Sequence, residues 1–161
     1  MVPARHKFPK RLYSGLILVG ATLPLVIIIS VALIRGDMKF PWNSNMPYSV
    51  FLRFITVVAL FNFLPFAALA AFMKNRLGKP EGMVVSAYYL RMMGIFGAAT
   101  ALLGTSLFMH VSIWTSRSST AGFGVFVLFV IAFALMPVGY VCGWFIGKMY
   151  LRSKNRPSSA A

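Results

Sequence analysis

Four long apolar runs, separated by short polar connections, dominate the chain. They cover about 12–34, 49–73, 83–113 and 121–150. Crossing the hydrocarbon core of a bilayer takes about 20 apolar residues in helical form. Backbone polar groups inside lipid must be satisfied within the segment, so each run is predicted to be a transmembrane helix. The first run follows basic residues, as a signal peptide does. It is longer than the roughly 7–15 residues of a signal-peptide apolar region, and no small-x-small site follows Arg35. It is therefore expected to stay as a span. The short second and third connections make consecutive helices antiparallel neighbours. The predicted fold is an all-α integral membrane protein. Its four-transmembrane-helix bundle covers 12–150, with a basic tail over 1–11 and a basic flexible tail over 151–161.

Prolines interrupt three runs, at Pro24, Pro65 and Pro137. A helical proline lacks the N–H that its turn needs, which frees a carbonyl for a neighbour to satisfy. Asn62 lies near the middle of the second run. It is expected to bond across helices or to a carbonyl that a proline releases, with the lining of a polar pathway as the alternative.

The fourth run carries Gly139, Gly143 and Gly147. At 3.6 residues per turn, positions four apart drift only about 40° per step, so these glycines form one stripe, which Ala132 extends. Tyr140 and Trp144 project off it. The third run has a matching small face in Gly94, Gly97, Ala98 and Ala101, continued by Gly104 or Thr105. Lipid tails give helices no hydrophobic reason to associate, so close approach of small residues supplies the packing. The two faces are expected to be packing surfaces, either against each other or against another chain.

Composition agrees with this class. The chain is 59% hydrophobic and 11% charged, against about 25% charged in soluble domains. Sixteen Lys and Arg face two acids, Asp37 and Glu81, for a net charge of +14. In a soluble protein that excess would suggest nucleic acid; here the cations flank the runs, so no nucleic-acid partner is expected. The N-terminal tail holds four, the middle connection three and the C-terminal end four, against two and one in the other connections. The positive-inside rule then places both termini in the cytoplasm. That face is expected to attract anionic lipids. Trp42 and Tyr48 suit the opposite interface, and Arg35-Gly36-Asp37 reads as a turn rather than an adhesion motif.

Candidate chemistry is sparse. Arg53 and Arg91 lie inside runs, two turns from the helix starts, and are expected to reach outward to headgroups. Arg91 also projects near the small face, with Glu81 as a possible partner. His110 is expected at an interface, near the depth of Arg53; haem or quinone binding there would need a second chain's histidine. Asn62, Arg53, Arg91 and His110 are thus the candidate polar or ligand contacts. No acid lies in any run, and no HExxH, GxSxG or Walker loop occurs. Cys142 is the only cysteine, so no metal site is expected. The expected function is that of a non-enzymatic subunit, accessory or scaffolding, that packs into a larger membrane complex with other subunits or itself. A homo-oligomeric channel or carrier for an anionic or small polar solute is the alternative, with Asn62, Thr100, Arg53 and Arg91 along its path. A haem- or quinone-associated subunit is the third reading. Compactness and the absence of an Asn-x-Ser/Thr site favour a bacterial inner membrane.

Overall fold

The computed structural model describes residues 8–35, 48–78, 83–115 and 124–154. They form four helices, α1 (Lys10–Arg35), α2 (Tyr48–Leu77), α3 (Val85–Thr115) and α4 (Gly124–Lys154), with no strand among the described residues. All four are long and apolar enough to cross a membrane. Pro24, Pro65 and Pro137 sit inside continuous helices. Arg35 ends α1, whereas Gly36, Asp37, Trp42 and Glu81 lie outside the described residues, as do most of both tails.

Two helices outrun their apolar segments. α2 continues through Lys74-Asn75-Arg76-Leu77, which the sequence suggests as a turn, and α4 continues to Lys154. The hydrogen-bond ladder does not stop at the first charge. Lys and Arg are good helix formers, and cations in the last turn complement the negative end of the helix dipole.

α3, like α2, is central and touches the other three helices; α1 and α4 do not touch each other among the described residues. The most extensive contact joins α3 to α4. There the backbones meet directly. A Cβ on Gly97 would collide with the carbonyl oxygen of Gly139 and lie 2.9 Å from the Gly143 Cα. One on Gly139 would lie 2.6 Å from the Gly97 oxygen and 2.7 Å from the Ala101 Cβ. One on Gly143 would collide with the Met93 carbonyl oxygen, and one on Gly147 would come within 3.0 Å of the Met93 Cβ. The glycine stripe therefore lies in a seam inside the chain. Ala98 is fully buried and Ala132 nearly so. Gly94 makes room for a ring, since its Cβ would lie 2.6 Å from Tyr140 Cε2. Tyr140 thus fills the space that Gly94 leaves and packs onto Phe72 of α2, with ring centroids 5.4 Å apart. Gly104 has nothing within 4 Å, so Thr105, half-buried, continues the face instead.

Behind this seam lies the core: Leu16 of α1, Phe66, Leu69, Ala70, Met73 and Leu77 of α2, and Ile95, Ala98, Ala99 and Leu102 of α3. The helices pack in two halves around α3, small residues on one side and large apolar ones on the other.

Candidate functional site

Among the described residues, a polar cluster lies in the interior at the junction of α1, α2 and α3. Its origin is Pro24. Residue 24 has no N–H to give the carbonyl four residues earlier, which is that of Gly20. The Asn62 Nδ2 donates to this Gly20 oxygen at 2.8 Å. Such an approach requires α2 to lie close against α1, and Gly20 permits it, since a Cβ there would sit 2.6 Å from the Phe66 Cβ. The other end of the amide faces α3, where Asn62 Oδ1 lies 3.1 Å from His110 Nε2. With Nδ2 committed as donor, Oδ1 accepts, so the imidazole carries its proton on Nε2. Its Nδ1 is buried without a partner.

Asn62 is 2% exposed and His110 is 0% exposed. His110 is therefore an interior residue rather than an interfacial one. It lies about 180° around α3 from Ala101. That side is not open to lipid, because α3 is central: Ala99, Leu102, Ser106 and His110 form its buried face toward α1 and α2. Arg53 is exposed and has no such environment, so the two do not form a joint headgroup site. His110 Nε2 serves Asn62 inside its own bundle, which leaves Nδ1 as the ring nitrogen that any further ligand would have to reach.

Arg91 acts at the far end of the bundle. Its Nη1 donates to the Arg76 carbonyl at 3.0 Å. The last turn of a helix leaves carbonyls without intrahelical donors, and a cation is favoured there. Arg91 therefore ties the start of α3 to the end of α2. The charge-based expectation of a Glu81 partner lies outside the described residues.

The proposed solute path is not assembled within one chain. Asn62 is sealed in the junction, Arg91 is bound at one end and Arg53 is exposed on α2. Thr100 is exposed and returns its hydroxyl to the Phe96 carbonyl at 2.9 Å. Thr22 and Ser14 make the same local bond, to Leu18 and Lys10. Hydroxyls bonded within their own helix suit an apolar surrounding.

The aromatic contacts between α2 and α4 are not visible from spacing alone. Phe61 packs edge-on to Phe129 and Phe72 to Tyr140, both with centroids 5.4 Å apart. The second pair lies the same number of residues further along both helices, so α2 and α4 run parallel. Beyond it, Arg76 Cζ lies 5.3 Å from the Phe72 ring centre and Lys148 Nζ lies 4.9 Å from that of Trp144.

Comparison with protein-family models, with curated proteins and with solved structures returns no match.

Proposed function

We propose that this chain is a non-enzymatic integral membrane subunit that packs into a larger membrane complex, with both termini in the cytoplasm. The supporting observation is the one-sided packing of α4. Its Ala132, Gly139, Gly143 and Gly147 face turns to α3, while Val138, Val141, Phe145, Ile146 and Met149 are each more than half exposed. α1 does not close over it. The partner surface is therefore assigned to this outer aliphatic face and not to the glycine stripe. The non-enzymatic part of the reading rests on the use made of the polar groups, since Asn62, His110 and Arg91 are all engaged in tying helices together.

Orientation follows from charge. The antiparallel contacts bring the end of α2, the start of α3 and the end of α4 to one side. Lys74, Arg76, Arg91, Lys148, Arg152 and Lys154 gather there, with the basic tail before α1 expected beside them. The positive-inside rule puts this side in the cytoplasm, and a bacterial inner membrane suits the chain.

Gentle extraction followed by native mass spectrometry tests the assembly. A second polypeptide retained on the chain, and released by Phe145→Ala with Ile146→Ala, is the expected result. A bare chain or a stable homo-oligomer would overturn the accessory reading. For orientation, cysteines introduced at Ser44 and Ser118 in a Cys142→Ala background should react with an impermeant reagent from outside. Protection of both would reverse the topology.

A further inference from the structure

We propose that the seam between the C-terminal parts of α2 and α4 binds one anionic phospholipid, with its phosphate held between Arg76 and Lys148. The inference rests on the membrane reading above and adds a specific site to it.

The parallel register sets the geometry. Phe72 packs against Tyr140, so one turn further along, Arg76 on α2 is level with Trp144 on α4. The Lys148 ammonium lies over that Trp144 ring at 4.9 Å, and the Arg76 guanidinium folds back over Phe72 at 5.3 Å. Side chains on a helix lean toward its N-terminus, which carries Arg76 back from the last turn of α2 over Phe72 and Lys148 back over Trp144. Two positive groups on adjacent helices are thus held about one turn apart, roughly 6 Å in depth, with the guanidinium level with Tyr140 and the ammonium level with Trp144. Packed helices lie about 8–10 Å apart, a gap that side chains of this length can close around one phosphate. Stacking on rings limits the rotamer freedom that such chains otherwise lose on binding.

The chain does not supply the counter-charge. Only two acids exist in the sequence, and Asp37 precedes α2, at its opposite end. Glu81 alone cannot balance Lys74, Arg76, Arg91, Lys148, Arg152 and Lys154. Arg91 is fixed to the Arg76 carbonyl, which adds a third cation beside the pair. Arg76 lies near the end of its apolar segment, and the Lys148 ammonium is drawn back toward the apolar part of α4. At that depth the abundant anion is a lipid phosphate. Trp144 suits the headgroup–acyl boundary, where an amphipathic ring is favoured. The acyl chains would run along the apolar flanks of the same two helices, an anchorage that free phosphate lacks.

The test uses the full chain in phosphatidylcholine nanodiscs doped with a minor fraction of phosphatidylglycerol, read by native mass spectrometry after release. One phosphatidylglycerol should stay on the chain when phosphatidylcholine has been stripped. Arg76→Gln with Lys148→Gln should weaken retention about twenty-five-fold, at about fivefold per basic residue removed. Arg152→Gln with Lys154→Gln removes the same charge from the end of α4 and should leave retention within about twofold. Arg76→Lys with Lys148→Arg should restore most of it. Equal loss in both neutralised pairs would overturn the site in favour of diffuse attraction. Displacement of the lipid by equimolar inorganic phosphate would overturn the lipid assignment. Helicity measured by circular dichroism separates lost binding from lost fold. Failure of the chain to enter nanodiscs at all would instead overturn the membrane reading.

Discussion

Gly97→Ala is expected to destabilise the fold by about 1–3 kcal/mol, whereas Gly104→Ala, two turns along the same helix, should be neutral or stabilising by up to about 1 kcal/mol. Both replacements gain the same helix propensity, about 1 kcal/mol. They differ in what the added methyl meets. At Gly97 it meets the Gly139 carbonyl and the Gly143 backbone, and backbone cannot swing aside as the tip of a side chain can. The helices must separate, and the contacts along the seam weaken together. At Gly104 nothing lies within 4 Å. Reversible unfolding in mixed micelles measures both. Gly143→Ala should behave like Gly97→Ala, because its methyl meets the Met93 carbonyl. Equal effects at Gly97 and Gly104 would show that α3 and α4 do not approach this closely.

The second large effect concerns the three-helix junction. Asn62→Leu should destabilise by about 1–3 kcal/mol, since it strands the Gly20 carbonyl and the His110 Nε2–H in the interior. Interhelical hydrogen bonds in membranes average only about 0.6 kcal/mol, because a separated helix finds other partners. Gly20 differs in that its helix donor is missing whether or not the bundle has formed, since position 24 is proline in both states. That difference gives a decisive comparison. In a Pro24→Ala background, residue 24 regains its N–H and can serve the Gly20 carbonyl. Asn62→Leu should then cost about 1 kcal/mol less than in the native background. An identical cost in both backgrounds would show that Asn62 matters for some reason other than the proline. Removing the ring instead, by His110→Leu, leaves the Gly20 bond intact and should be milder than Asn62→Leu.

Much of the architecture could be read from apolar run lengths, because helix is the only open-ended way to satisfy a backbone in lipid. The helix ends were less legible at Lys74–Leu77, where bilayer thickness limits the apolar run but not the helix. The small faces of α3 and α4 followed from spacing. Their pairing did not, since a stripe of glycines marks close approach without identifying what approaches. The Asn62 bond followed from proline chemistry in kind, across helices to a proline-freed carbonyl, while the choice of Pro24 on α1 over the nearby Pro65 needs the packing. His110 shows the limit most clearly. Its angle relative to Ala101 follows directly from helix geometry, yet the far side of a helix is lipid-facing only at the edge of a bundle, and α3 is at the centre. Charge alone pairs Arg91 with a carboxylate, while the end of α2 offers it a carbonyl. In each case local chemistry gave the type of bond, and the arrangement of helices chose the partner.

The even spacing of Gly139, Gly143 and Gly147 leaves one thing undetermined, the axial position of α4 on α3. A slide of four residues, about 6 Å at 1.5 Å per residue, would set Gly143 where Gly139 lies and Gly147 where Gly143 lies. Along much of the stripe the two positions are nearly interchangeable. Tyr140 breaks the degeneracy. Its ring occupies the space beside Gly94, and after such a slide Met136 or the larger Trp144 would arrive there instead. The glycines make the helices adhere, and one tyrosine works as the pin that fixes their setting. Through that pin the depth of Lys148 relative to Arg91, and hence the level of the basic end, is set from within the apolar interior.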